Sequence, residues 1–205
     1  MTGSESVSFP TVPRDRLDAG GWVQSGKTVE TVFELPGVSV RGATLQYRDD
    51  ATSTAIAETA AVEATWRFFF ATALSFEPEV PPTASRAFLL PVVRARATDR
   101  FRSTLQESGL TDVERVRTER RRIGYEKRVP LSRFEAALEL ETPAVTVPLG
   151  GWLGVWYDDG FLVSGGAYPE RPIGAVLGLD DPPPVLQRDV VTYRRELLEL
   201  MRDVS

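Results

Sequence analysis

The octet Gly21-Trp22-Val23-Gln24-Ser25-Gly26-Lys27-Thr28 satisfies the spacing G-x-x-x-x-G-K-[ST]. In a nucleotide-binding loop of that pattern, backbone N–H groups cradle phosphates, the lysine reaches the β/γ-phosphates and the hydroxyl binds Mg²⁺. Gly26, Lys27 and Thr28 would then hold a nucleotide, and the protein would be a nucleotide-binding hydrolase. The flanks argue for coincidence. Such a loop needs a buried strand before it and a helix after it. Here Pro13 to Gly20 is polar, and Thr28-Val29-Glu30-Thr31-Val32-Phe33 prefers a strand. A carboxylate-based hydrolase is the other enzymatic alternative. Asp158-Asp159 and Asp180-Asp181 supply paired acids, but the first suits a turn and the second precedes Pro182 to Pro184. Ser164 lacks the first glycine of G-x-S-x-G and any histidine to activate it. No catalytic residue is assigned, and neither a metal nor another cofactor is implied.

Charge is distributed unevenly. From Arg86 to Arg133 there are 12 arginines and Lys127 against six acids, although the whole chain carries −5. Arg115, Arg117 and Arg121 alternate along the polar stretch 112–123, and in a strand they would share one face. Such a strip can hold an anion or an acidic partner. It can equally be a charged edge strand protected from aggregation. No aromatic residue interleaves the run, so stacking on bases, and with it nucleic acid, is not expected.

Aromatic residues form the third candidate set. Trp66, Trp152, Trp156 and Tyr168 could line a cavity for an apolar ligand. The same residues serve as core in most proteins.

Composition narrows the chemistry further. The chain of 205 residues has no cysteine and no histidine. Thiolate nucleophiles, disulfides, Cys-ligated metals and the commonest general base are therefore excluded. Asparagine is absent too. Lys27 and Lys127 are the only lysines, and isoleucine is rare, which is the mark of a GC-rich genome. Met1 to Pro13 has no apolar core of a signal peptide, and no apolar run approaches about 18 residues. A cytoplasmic protein with no membrane partner is expected.

The elements that must position these residues follow from periodicity. Residues 1–13 read as a disordered tail and 14–205 as a single α+β domain. Strands are predicted over 22–47, with a turn at Pro36-Gly37. An alanine-rich helix over 53–64 would be capped by Ser53 or Thr54. Trp66 to Phe76 reads as a central strand buried on both faces. Val93, Ala97, Phe101 and Leu105 recur every four residues and predict a helix over 91–108, ended by Gly109. Residues 133–141 alternate, with Phe134, Ala136, Leu138 and Leu140 on one face. Asp158-Asp159-Gly160 predicts a hairpin between 151–157 and 161–168. A final helix over 187–203 would bury Val190, Val191, Leu197, Leu198 and Met201. The class is α+β: a mostly antiparallel sheet with helices packed on one face, including a C-terminal helix.

Two segments carry a resemblance. Trp66-Arg67-Phe68-Phe69-Phe70-Ala71-Thr72, followed by a proline-rich break, resembles an uncharacterised protein family of halophilic archaea, as does Gly151-Trp152-Leu153-Gly154-Val155-Trp156 followed by Gly165-Gly166-Ala167-Tyr168-Pro169. The likeness would span roughly residues 30–170. That family has no assigned activity, so the resemblance implies a source and no mechanism. The expectation is thus a non-enzymatic binding module for an unknown small molecule or protein. It would use the aromatic set or the arginine strip, and a homodimer would suit the edge strand.

Overall fold

In the computed structural model, residues 8–62, 64–80, 88–123 and 127–205 are described. Two antiparallel meanders build the sheet. The first holds β1 (Trp22–Leu35), β2 (Val38–Asp49) and β3 (Phe68–Glu77). The second holds β4 (Leu110–Ile123), β5 (Lys127–Leu140), β6 (Val145–Tyr157) and β7 (Phe161–Pro169). β3 and β7 join them antiparallel, Phe68 opposite Ala167 and Leu74 opposite Phe161. The order is therefore β1-β2-β3-β7-β6-β5-β4, with β1 and β4 at the edges.

The helices are α1 (Arg14–Gly20), α2 (Asp50–Ala60), α3 (Leu90–Glu107), α4 (Ile173–Val176) and α5 (Val190–Arg202), with a 3-10 turn over Pro184–Gln187. This is the α+β class with its C-terminal helix, but helices cover both faces of the sheet. Strand alternation explains why. Phe69, Trp152, Trp156 and Tyr168 point to one side, where Tyr193, Leu197 and Met201 of α5 and Leu17 of α1 meet them. Phe68, Phe70, Phe134, Leu153 and Val155 point to the other, against Val93 and Phe101 of α3 and Ile56 of α2. A sheet with two apolar faces needs two covers.

Several local expectations change. The strand buried along its whole length is β7 rather than β3. α2 begins earlier than read, because Asp49, not Ser53 or Thr54, caps it by accepting the Thr52 N–H at 3.0 Å. α5 begins at Val190 and buries Tyr193, Leu197, Leu200 and Met201, while Val191 is 72% exposed. Within the stretch read as a tail, Val12 is buried, and Thr11 exchanges backbone hydrogen bonds with Ser205.

Candidate functional site

α5 is set by its cap and its docking face. Asp189 accepts the Thr192 N–H at 2.7 Å, satisfying one of the orphan donors of the first turn. Gly166 lets the helix approach the sheet. A Cβ there would lie 2.2 Å from the Phe68 carbonyl oxygen and 2.8 Å from Leu197 Cδ1. With Leu197 and Met201 held down, the adjoining stripe Val191, Arg195, Leu198, Arg202 turns towards the β4 edge. These residues recur at helical spacing on one face.

Between that stripe and the sheet lies an open groove of about 590 Å³. Arg121, Arg122 and Ile123 of β4 and Leu131 of β5 form its sheet side. Val191, Arg194, Arg195, Leu198, Glu199 and Arg202 form its helix side. Among the described residues five arginines thus face one glutamate, and Arg16 from outside the groove already binds that Glu199 at 2.7 Å.

Three guanidiniums stack over the buried Trp152 indole. Arg194 lies 5.3 Å, Arg133 5.6 Å and Arg121 5.8 Å from the ring centroid. The ring's negative face favours a cation at this range. One carboxylate serves much of the cluster. Glu119 bonds Arg121, accepts from Arg117 Nε at 2.7 Å and lies 3.6 Å from Arg194. Burial acts to raise its pKa, but the hydrogen bonds from Arg121 and Arg117 prevail and hold it low. Arg121 Nε is buried without a partner, and Arg122 and Arg195 form no salt bridge among the described residues. Arg202 is held by Asp203 at 2.7 Å. Arg133 is itself buried and bonded to Glu170, so it belongs to the floor. Beside it, burial raises the Tyr168 pKa, and Arg133 opposes the shift.

A second polar cluster is closed. Arg67, fully buried, donates to Asp49 at 2.9 Å and to Glu196 at 2.5 Å, and lies 4.3 Å over the Trp22 ring. Asp49 also accepts the Thr52 hydroxyl at 2.8 Å. Beside this cluster a cavity of about 100 Å³ is lined by Arg16, Trp22, Glu196 and Glu199. Both of its acids are engaged, Glu196 by Arg67 and Glu199 by Arg16.

The sequence candidates land as follows. Gly26, Lys27 and Thr28 are in β1, paired with Gln46, Leu45 and Thr44 of β2. Extended backbone committed to a strand ladder cannot form a phosphate nest, and α1 rather than a buried strand precedes it, so the nucleotide-loop reading is overturned. Lys27 Nζ lies 4.3 Å over the Phe9 ring instead. Trp66, Trp152, Trp156 and Tyr168 are each at most 2% exposed. They are packed core and not the walls of an open cavity, although Trp152 supports the groove from below. Arg121 lines the groove, but Arg115 and Arg117 do not. A bulge between them places Arg115 opposite Phe134 and Arg117 opposite Arg133, so these two fall on different faces of the sheet. Arg194, Arg195 and Arg202 were missed. The spacing Val191, Arg195, Leu198, Arg202 was a signal of one mixed apolar and cationic stripe. Of the proposed acid pairs, Asp158 and Asp159 flank the β6–β7 turn. Among the described residues no three acids come together as a metal site, and no helix is long and apolar enough to cross a membrane.

An antiparallel α+β sheet flanked by helices with an arginine-lined groove is the class of structure this chain defines. Residues 9–205 match a domain of unknown function (DUF6517), and the chain belongs to that family. No curated protein and no solved structure matches it.

Proposed function

We propose that this protein is a non-enzymatic binding module that holds a small anionic molecule in the groove between α5 and β4. The observation carrying this reading is the imbalance of charge. Five arginines line the groove, and among the described residues its one lining acid, Glu199, is engaged by Arg16. Glu119 is shared by Arg121 and Arg194, and Asp203 holds Arg202, which leaves Arg122 and Arg195 without a salt bridge among the described residues. Clustered like charges repel and cost stability, so an excess left uncompensated favours binding of an opposite charge. Guanidinium groups suit this role because their planar donors match phosphate and carboxylate oxygens. Stacking on Trp152 fixes the orientation of Arg121 and Arg194 in advance, which lowers the ordering cost of binding. Among the described residues the groove lining is arginine, aliphatic side chains and the engaged Glu199.

The test is thermal unfolding of the full chain with chloride, phosphate and pyrophosphate at matched ionic strength. A ligand that binds only the folded state raises the midpoint with its concentration. Phosphate or pyrophosphate should do so and chloride should not. The R194A/R195A variant should lose the effect. Equal midpoints in all three salts would remove the reading.

A further inference from the structure

Resting on that anion-site reading, we propose that the groove's ligand is a single-chain amphiphile free in solution, with a phosphate or carboxylate head and an aliphatic tail. Arginine is only half of the lining. Val191 and Leu198 of α5 bring apolar surface to the groove, over a floor of Ile123 and Leu131 that is already buried. Val191 is 72% exposed, yet it belongs to the same helical stripe as Arg195 and Arg202. An inorganic anion would leave the apolar surface of Val191 and Leu198 wet. An aliphatic chain laid along it would remove it from water.

Size and chemistry agree. A volume of about 590 Å³ lies within the range of organic ligand sites, and an inorganic phosphate would fill little of it. Among the described residues no aromatic side chain lines the groove, so none of them would stack a nucleobase or a nucleoside. Trp152 lies fully buried beneath Arg121 and Arg194 and closes the way into the core. The tail must therefore run along the groove between β4 and α5, with the head among Arg194, Arg195 and Arg121.

Isothermal titration of the full chain with inorganic phosphate and then butyl, hexyl and octyl phosphate, below micelle formation and at fixed ionic strength, tests this. Affinity should rise with length, by about fourfold for each methylene that is fully covered. Val191→Ser, at an exposed position, should flatten that rise and leave inorganic phosphate binding unchanged. R194A/R195A should weaken every member of the series alike. Phosphate binding with no dependence on chain length would overturn the amphiphile and leave the anion site standing. Failure of every ligand, phosphate included, would remove the anion site itself. Binding to phosphatidylglycerol vesicles without binding to the monomeric alkyl phosphates would overturn a free ligand in favour of a membrane surface.

Discussion

Arg67 and Arg194 both lie over aromatic rings, yet their surroundings make them opposites. Arg67 has no exposed side-chain surface and meets two carboxylates, Asp49 and Glu196. Its charge is more than balanced, and its neighbours bind β2, the start of β3 and α5 into one unit. Arg194 is 35% exposed and shares Glu119 with Arg117 and Arg121. There the cations outnumber the anion, and Arg195 and Arg122 add to the excess without salt bridges of their own among the described residues. A guanidinium whose donors are used up in the interior is architecture. One left in surplus at the rim of an apolar groove is an invitation to a ligand.

The largest expected effect comes from breaking the closed cluster. Arg67→Met leaves Asp49 buried without its cation and should cost about 3–5 kcal/mol in denaturant unfolding. A loss below about 1 kcal/mol would mean that Thr52 alone satisfies Asp49. High pH probes the same region more gently. Burial drives the Tyr193 pKa up to about 12, with Arg67 opposing and Asp49 reinforcing the shift. A raised pKa means that the fold favours the neutral phenol. This contribution is complete below the ordinary tyrosine value and is lost as pH rises through about 12. Ultraviolet absorbance should show late tyrosine ionisation, to which the buried Tyr168 and Tyr47 also contribute, and Tyr193→Phe should reduce its amplitude near pH 12. A complete titration near the ordinary value with the fold intact would contradict the buried placement.

The open cluster should respond in the reverse sense. R194A/R195A should change unfolding free energy by no more than about 0.5 kcal/mol. The same change should weaken phosphate binding by about tenfold or more, as expected for lost charged hydrogen bonds. A large stability loss with unchanged binding would make the groove arginines structural, and the contrast with Arg67 would disappear. Lys27→Ala touches neither cluster. It removes an exposed cation–π contact with Phe9, worth about 0.5–1 kcal/mol, and should leave anion binding untouched.

Local patterns were legible in the sequence where neighbours along the chain decide the outcome. Val93, Ala97, Phe101 and Leu105 are the buried residues of α3 as their spacing predicts. Gly109 takes the left-handed φ of +84° expected of a helix stop. Asp159 and Gly160 turn β6 into β7. Distant partners were not legible. Nothing in the sequence around Arg67 points to its partner Glu196, which lies 129 residues away. The arginine strip was visible as charge, but one bulge at Val116 puts Arg115 on the face opposite Arg117 and Arg121. A single inserted residue reverses side-chain direction, and simple alternation cannot reveal it. The rest of the groove came from α5, whose charged stripe reads as an ordinary solvated surface until β4 is placed beside it.

The seam between β3 and β7 has a consequence for how the chain comes to be. Phe68 pairs with Ala167, so the aromatic β3 has no neighbour on that side until nearly the whole second meander has left the ribosome. Pairings so far apart in sequence are slow to form, because loop entropy is lost before contacts compensate. In the interval β3 offers an unpaired apolar edge of the kind that recruits other chains. The seam that completes the sheet is also where a slowed or truncated synthesis would first turn to aggregation.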